Sequence, residues 1–152
     1  MKPKIFIVMG SKSDREPIAD GLKLLEKIGV PVRLEVISAH RHPEKLRKVC
    51  LGLEKEGIEV VIACAGMAAA LPGFVASYAN IPVLGVAMKG GMLDGLDAVM
   101  AMVSIPRGVA VACTGVAKSG FINACIMALQ ILALSDKSYT KRLSAFKETF
   151  KR

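Results

Sequence analysis

The 152-residue sequence predicts a doubly wound α/β fold, in which helices cover both faces of one parallel sheet. Short apolar runs typical of buried strands alternate along the chain with segments of helical periodicity. Aromatic residues make up only 5% of the chain, which favours close packing of aliphatic helices on a sheet. The hydrophobic content of 53% is enough for one core, so we expect a single domain over residues 1–152.

The first half of the chain predicts two strand–helix units. The first strand is a β-rich apolar run that stops at Gly10, and its helix stops at Gly29. The second strand alternates apolar and polar residues, and its helix begins at Pro43 and ends before Gly57. The predicted elements are strand 4–9, helix 18–28, strand 32–36 and helix 43–56.

The second half predicts three more strands and four helices. They are strand 58–65, helix 71–79, strand 83–88, helix 95–104, strand 109–113, helix 119–135 and a polar helix over about 136–151. Residues 60–88 carry no charge and are long enough to cross a bilayer. Because Gly66, Pro72 and Pro82 interrupt this stretch, we interpret it as strand, loop, helix and strand, and expect no membrane partner.

The uncharged helix 119–135 has apolar residues on all sides, which is typical of a buried helix. A domain of this size covers such a helix more easily with a second copy of itself. We therefore predict a homo-oligomer with this helix at an interface. A central helix in a monomer is the alternative.

The net charge of +8 is compatible with a nucleic-acid partner or with anionic ligands. Aromatic side chains that stack on bases are scarce, and much of the positive charge falls in the last quarter of the chain. A solvated helical face explains this charge better than a nucleic-acid surface, so we expect no nucleic-acid partner. The basic residues concerned are Lys118, Lys137, Lys141, Arg142, Lys147, Lys151 and Arg152.

The cysteines and the N-terminus point to a cytoplasmic protein. The four cysteines are far apart and form no C-x-x-C pair, which predicts reduced core residues and neither disulfides nor zinc. Only five apolar residues follow Lys4 before Gly10, too few for the apolar centre of a signal peptide.

Ligands of doubly wound sheets bind at the carboxyl ends of the strands, so the loops there are candidate sites. The first such loop, residues 10–14, joins Gly10 to a helix N-terminus, where N–H groups and the helix dipole favour phosphate. The hydroxyls of Ser11 and Ser13 add donors, although the loop matches neither a P-loop nor G-x-G-x-x-G. Asp14 either accepts hydrogen bonds from ribose hydroxyls or caps the helix, and the sequence leaves both open.

The second loop, residues 38–43, contains both histidines of the protein. The imidazole of His40 can exchange a proton near neutral pH, and the fork of Arg41 matches a phosphate. The alternative for His40 is a hydrogen-bonded loop histidine, and we interpret His42 as a surface residue.

The third loop, residues 65–73, consists mainly of small residues and offers backbone groups. It can admit a flat heterocycle or carbon dioxide, because small residues permit close approach. Dense packing of strand on helix is the alternative.

Together these motifs resemble the family of 5-(carboxyamino)imidazole ribonucleotide mutases of purine synthesis. The resemblance covers nearly the whole chain, and the first two motifs are specific in combination. The matching segments are 8–14, 38–41, 65–73, 95–97, 105–108, 123–124 and 128–132.

The resemblance implies a flavodoxin-like three-layer sandwich with a five-stranded parallel sheet, a homo-octamer and no cofactor. It implies that His40 is the catalytic general acid and base of an isomerase that moves a carboxylate from the exocyclic amine to carbon 4 of the imidazole. No metal is expected, because none of these steps requires a Lewis acid. The residues expected to bind the phosphorylated imidazole ribonucleotide are Gly10, Ser11, Ser13, Asp14, Ser38, Ala39, Arg41, Gly66, Met67 and Leu71.

Two departures from the family pattern bear on substrate and rate. Ala70 stands where A-A-H-L-P-G carries a second histidine, and Lys89 begins a loop where most mutases have a Gln-Ser pair. Lys89 either supplies a positive charge for a carboxylate or is an exposed surface lysine. Two alternatives to the mutase therefore stay open. One is direct carboxylation of aminoimidazole ribonucleotide by carbon dioxide, and the other is a paralogous binding module or carboxylase for another nucleotide.

Overall fold

The computed structural model describes residues 2–151, so Met1 and Arg152, the two ends of the predicted domain, lie outside the described residues. The strands are β1 (Ile5–Met9), β2 (Val32–Val36), β3 (Val60–Ala65), β4 (Val83–Ala87) and β5 (Ala112–Val116). A 3₁₀ helix, Lys12–Asp14, follows β1. The α-helices are α1 (Arg15–Lys27), α2 (Pro43–Glu56), α3 (Ala70–Tyr78), α4 (Leu96–Val103), α5 (Ala117–Ser135) and α6 (Ser138–Glu148).

The five strands form one parallel sheet in the order β2-β1-β3-β4-β5. Alternate residues of each strand point to opposite faces, so Ile7 and Ile62 belong to one core and Phe6 and Val61 to the other. Helices α1, α5 and α6 cover the first face, and α2, α3 and α4 cover the second. The predicted three-layer α/β sandwich is confirmed, and its strand order is the flavodoxin-like one.

Most of the predicted elements are confirmed with their ends shifted by up to three residues. Pro43 is the first residue of α2, and Gly57 ends it in the left-handed conformation at φ 86°. Gly21 lets α1 approach α5, since a Cβ there would lie 2.5 Å from the Phe121 ring. The core therefore depends on one glycine at the crossing of two helices.

The predicted fifth strand, 109–113, is wrong by three residues, because β5 spans Ala112–Val116. The pairing of β5 with β4 is irregular, and the Thr114 hydroxyl donates to the carbonyl oxygens of Gly85 (3.2 Å) and Gly120 (2.9 Å). These hydrogen bonds fix which residues of β5 pair with β4. The apolar residues 109–111 instead line an apolar cleft beside the sheet edge.

Helix α5 buries eight residues against the sheet, but it is not covered on all sides. Its outer face carries exposed Asn123, Met127, Gln130 and Leu134, with Leu134 81% exposed. The alternative of a helix buried centrally within one chain is therefore not observed, and coverage of this outer face by a second copy stays a prediction. Within residues 2–151, α5 is the one helix long and apolar enough to cross a membrane, and 44% of its most apolar stretch is buried in the fold.

The cysteines and the basic terminal helix occupy structural positions. Cys50, Cys64 and Cys125 are buried and Cys113 is half-buried, and all four are free thiols as predicted. Burial raises the pKa of the Cys50 thiol to about 11. In α6, Tyr139 and Phe146 face the core, while much of the remaining surface is exposed and polar, as predicted.

Candidate active site

The loops that follow β1, β2, β3 and β4 enclose a cleft of about 710 Å³, which we call the strand-end cleft. All of the residues predicted to bind or transform a substrate line it. They are Gly10, Ser11, Ser13, Asp14, Ser38, Ala39, His40, Arg41, Gly66, Met67 and Leu71. Volume alone does not select this site, since a cleft of about 770 Å³ lies between α1 and α6. That cleft is lined by basic, small and aliphatic residues, without an imidazole or a carboxylate.

The loop after β1 is a capping box whose hydroxyls face the cleft. The Ser11 side chain accepts hydrogen bonds from the Ser13 N–H (3.3 Å) and the Ser13 hydroxyl (2.8 Å). The Gly10 N–H donates to the Cys64 carbonyl at 3.1 Å, which fixes the loop to β3. The adjoining start of α1 adds the positive end of a helix dipole. This arrangement suits an anionic group.

Asp14 has the capping role that the sequence left open. Its Oδ2 accepts the Ser11 N–H at 3.0 Å, which completes the capping box. The side chain is half-buried at the cleft wall. Burial raises the pKa of Asp14, and the hydrogen bond from Ser11 opposes this shift without cancelling it. A contact of Asp14 with ribose stays a prediction.

The loop after β2 presents His40 and Arg41 at the tip of a tight turn. The Ser38 carbonyl accepts the His42 N–H at 2.9 Å, and the Ser38 hydroxyl accepts the Arg41 N–H at 3.3 Å. His40 and Arg41 are exposed and line the strand-end cleft. His42 is exposed, lies at the start of α2 and does not line the cleft, so its interpretation as a surface residue is confirmed.

The loop after β3 is held in a backbone conformation that non-glycine residues rarely adopt. Met67 and Ala69 have φ values of 54° and 36°, and the Ala69 N–H donates to the Gly66 carbonyl at 2.9 Å. A Cβ at Gly66 would lie 3.2 Å from the Met88 carbonyl oxygen, so Gly66 permits backbone contact with the next loop. Such strain is common at functional sites.

The loop after β4 supplies residues that were not among the predicted site residues. Lys89, Gly90 and Gly91 line the strand-end cleft, as do Ala65, Ala68, Ala69 and Ala70 from the β3 side. For Lys89 the sequence left open a charge for a carboxylate or an exposed surface lysine, whereas Gly90 and Gly91 were not predicted to line a site. The Lys89 amine lies 3.9 Å from the Asp94 carboxylate.

Asp97 holds this loop in place from inside α4. Its carboxylate accepts the N–H groups of Gly95 at 3.2 Å, Ala98 at 3.0 Å and Leu93 at 3.4 Å. Desolvation raises the pKa of Asp97, but the backbone hydrogen bonds outweigh it and the net pKa is lowered. From sequence, Asp97 was noted only as part of the segment 95–97 that resembles the family, in the first turn of a predicted helix.

Residues 2–151 contain no cluster of three or more histidine, cysteine, aspartate or glutamate side chains that could hold a metal ion. Charged side chains of both signs nevertheless line the strand-end cleft, with Arg41 and Lys89 opposite in charge to Asp14. The cleft therefore offers cationic groups to an anionic ligand and a carboxylate that can accept from hydroxyl groups.

The fold and the strand-end cleft define a doubly wound α/β protein with a ligand site at the carboxyl ends of four strands. Residues 4–152 match the family described as AIR carboxylase. The chain belongs to that family.

Individual relatives agree with this assignment. The chain is 42% identical over 145 residues to the N5-carboxyaminoimidazole ribonucleotide mutase of Haemophilus influenzae, covering 95% of this chain and 88% of that one. It is 40% identical over 146 residues to the phosphoribosylaminoimidazole carboxylase of Saccharomyces cerevisiae, covering 96% of this chain and 25% of that protein. A crystal structure of Treponema denticola PurE superimposes with a TM-score of 0.79 at 25% identity, covering 97% of this chain and 90% of that one.

Proposed function

We propose that the protein converts 5-(carboxyamino)imidazole ribonucleotide to 4-carboxy-5-aminoimidazole ribonucleotide in purine synthesis. The observation that carries the proposal is that His40 and the Ser11–Asp14 capping box line the same cleft. The names of the Haemophilus relative and of others like it support the same reaction.

In the proposed reaction, His40 acts first as general acid and then as general base. Its imidazolium gives a proton to the exocyclic nitrogen as the N–C bond breaks and carbon dioxide forms. Carbon 4 of the imidazole then bonds to the carbon dioxide, and the neutral imidazole of His40 removes the proton from that carbon. The proton given to nitrogen is replaced on His40 by the one taken from carbon 4, so the reaction is a balanced isomerisation without a cofactor.

We assign the substrate's phosphate to the first two loops and its ring to the second and third. Ser11 and Ser13 would bind the phosphate together with Arg41, and Gly10, which has no side chain, would let it approach the loop closely. Asp14 would accept from the ribose hydroxyls while it keeps its capping bond to Ser11. Ser38, Ala39, Gly66, Met67 and Leu71 would surround the imidazole.

Turnover of the carboxyamino nucleotide by purified protein tests the proposal directly. The expected result is conversion without ATP and without added bicarbonate. Absence of turnover under these conditions would contradict the mutase assignment.

A second candidate is direct carboxylation of aminoimidazole ribonucleotide by carbon dioxide. The description of the family and the name of the yeast relative favour it. The same assay separates the two functions, since a direct carboxylase requires bicarbonate with the uncarboxylated nucleotide as its substrate.

A third candidate, a binding module or carboxylase for another nucleotide, is motivated by Ala70. Calorimetry against a panel of phosphorylated imidazoles and nucleotides would reveal it as tight binding of a non-imidazole ligand without turnover.

We also propose a cytoplasmic homo-oligomer, an octamer, with no nucleic-acid or membrane partner. Its support is an exposed apolar stripe on α4 and the preceding loop, in addition to Met127 and Leu134 of α5. The stripe comprises Met92, Leu93, Leu96, Met100 and Val103. Surfaces of this kind mark protein interfaces. Light scattering at micromolar concentration would contradict the assembly if it gave the mass of one chain.

A further inference from the structure

We propose that Lys89 determines specificity for carboxylated imidazole nucleotides by pairing with the carboxylate that the reaction moves. This inference rests on the proposed function and concerns the same cleft. Lys89 immediately follows Met88 at the carboxyl end of β4 and lines the strand-end cleft.

The position of Lys89 relative to Arg41 separates two anion-binding functions. Arg41 follows β2 and Lys89 follows β4, and β1 and β3 lie between those strands. Three strand spacings of ~4.8 Å place the two strand ends about 14 Å apart. Ser11 and Ser13 follow β1, which lies one strand from β2 and two strands from β4. A nucleotide whose phosphate lies at the β1–β2 side therefore directs its ring and carboxylate toward Lys89.

The groups around Lys89 leave space for such a carboxylate. Ala70 ends at its Cβ, and a Cβ added at Gly90 would have no neighbour within 4 Å. The β4 side of the cleft thus combines a cation with little side-chain bulk. A carboxylate can approach the amine from the cleft, where Ala70 and Gly90 have no bulky side chain.

The present partner of Lys89 is readily exchanged. The amine lies 3.9 Å from Asp94 Oδ2, beyond hydrogen-bonding distance, and the side chains are 67% and 72% exposed. Asp94 Oδ1 accepts the Gly90 N–H at 3.2 Å, which keeps the Asp94 carboxylate beside the loop. Exposed pairs of this kind contribute little. A substrate carboxylate at hydrogen-bonding distance would replace Asp94 as the stronger partner of the amine.

The test compares carboxylated and uncarboxylated nucleotides in wild type and Lys89→Gln. Calorimetry with 4-carboxy-5-aminoimidazole ribonucleotide should give a Kd about 10-fold higher in the variant. The Kd of aminoimidazole ribonucleotide should change less than about 2-fold, because it has no carboxylate to lose. KM for the carboxyamino substrate should rise by a similar factor to the Kd of 4-carboxy-5-aminoimidazole ribonucleotide. Lys89→Arg should retain most of the discrimination, since it keeps the charge.

Two further variants separate this role from a structural one. Lys55→Gln removes an exposed lysine from the last turn of α2, toward the amino ends of the strands, and should leave both Kd values unchanged. Asp94→Asn removes the competing carboxylate and should lower the Kd of the carboxylated nucleotide.

The outcomes distinguish this inference from the function on which it rests. If wild type turns over the substrate but Lys89→Gln weakens the binding of both nucleotides equally, or of neither, Lys89 has no specificity role. The proposed function then stands. If wild type neither turns over the substrate nor binds either nucleotide, the proposed function is wrong and the role of Lys89 is wrong with it.

Discussion

The two halves of the strand-end cleft are built differently. The half formed by the loops after β1 and β2 presents polar side chains, among them Ser11, Asp14 and His40, on loops closed by ordinary capping and turn hydrogen bonds. The half formed by the loops after β3 and β4 presents mainly small residues, and its backbone has positive φ at Met67 and Gly91. We infer that the first half supplies the groups for proton transfer and phosphate binding, and that the second supplies shape and the charge of Lys89. Substitutions in the two halves should therefore affect different measurements.

The largest effect is expected from His40→Ala, which removes the proposed proton-transfer group. The value of kcat/KM for the carboxyamino substrate should fall about 10²- to 10⁴-fold. Because His40 is exposed, the free energy of unfolding should change by less than ~0.5 kcal/mol. His42→Ala is the matched control and should keep wild-type kcat/KM, since His42 lies outside the cleft. If His40→Ala kept most of its turnover, the prediction that the first half supplies the proton-transfer group would be wrong.

The next effect is expected from Gly91→Ala in the second half, and it should appear in stability. Gly91 has a φ of 78°, which costs an alanine roughly 1–2 kcal/mol, and its Cβ would overlap the Asp97 carboxylate. The free energy of unfolding in urea should fall by about 2–3 kcal/mol. Gly90 has a φ of 108°, and a Cβ added there would have open space around it. Gly90→Ala therefore measures the cost of the backbone conformation without a side-chain overlap. Equal losses in the two variants would show that the Asp97 contact is unimportant.

A smaller effect is expected from Asp14→Asn, with opposite signs for binding and stability. The amide oxygen can still accept the Ser11 N–H, but substrate KM should rise roughly 10-fold because a charged acceptor for ribose hydroxyls is lost. Burial raises the pKa of Asp14 above its unfolded value of 3.8, so the folded state binds protons more tightly. Its contribution to stability therefore falls as pH rises from 3.8 through the folded pKa, and the cost persists at pH 7.

Urea titrations of Asp14→Asn between pH 3 and pH 8 should consequently show less loss of stability with rising pH than wild type. Stability at pH 7 should be equal to wild type or higher. A variant that is less stable at pH 7 would show that the charge of Asp14 strengthens the capping box more than burial penalises it.

The smallest effect is expected from Ala70→His, which adds a side chain to the second half. Ala70 is exposed at the start of α3, so the free energy of unfolding should change by less than ~0.5 kcal/mol. We expect a few-fold rise in kcat/KM, because an imidazole there adds a hydrogen-bonding group beside the substrate. A fall in kcat/KM without a change in stability would indicate that the cleft of this protein is shaped around the alanine.

The side chains of the first half could be predicted from sequence because their residue types carry the chemistry. Both histidines of the chain lie between Ser38 and Pro43, and a serine-rich loop follows the first strand, so a strand-end site was expected and observed. The layer architecture was likewise accessible from alternating strand and helix patterns. These signals are local in sequence.

The remaining features depend on contacts that are distant in sequence. Nothing in the apolar run from Val109 onward marks which residues pair with β4, and the bonds from Thr114 to Gly85 and Gly120 decide it. The positive φ at Met67 and Ala69 is not signalled by glycine. The role of Asp97 as the acceptor for a whole loop appears only when that loop is folded over it.

The placement of α5 has a consequence for how the chain folds during synthesis. Every residue lining the strand-end cleft precedes Lys89-Gly90-Gly91 or belongs to it, so the site is translated before α5 begins at Ala117. Until then α1 alone covers the sheet face that carries Ile7 and Ile62. A nascent chain that stalls before Ala117 thus exposes an aliphatic strand surface, the kind of species that chaperones bind and that otherwise aggregates.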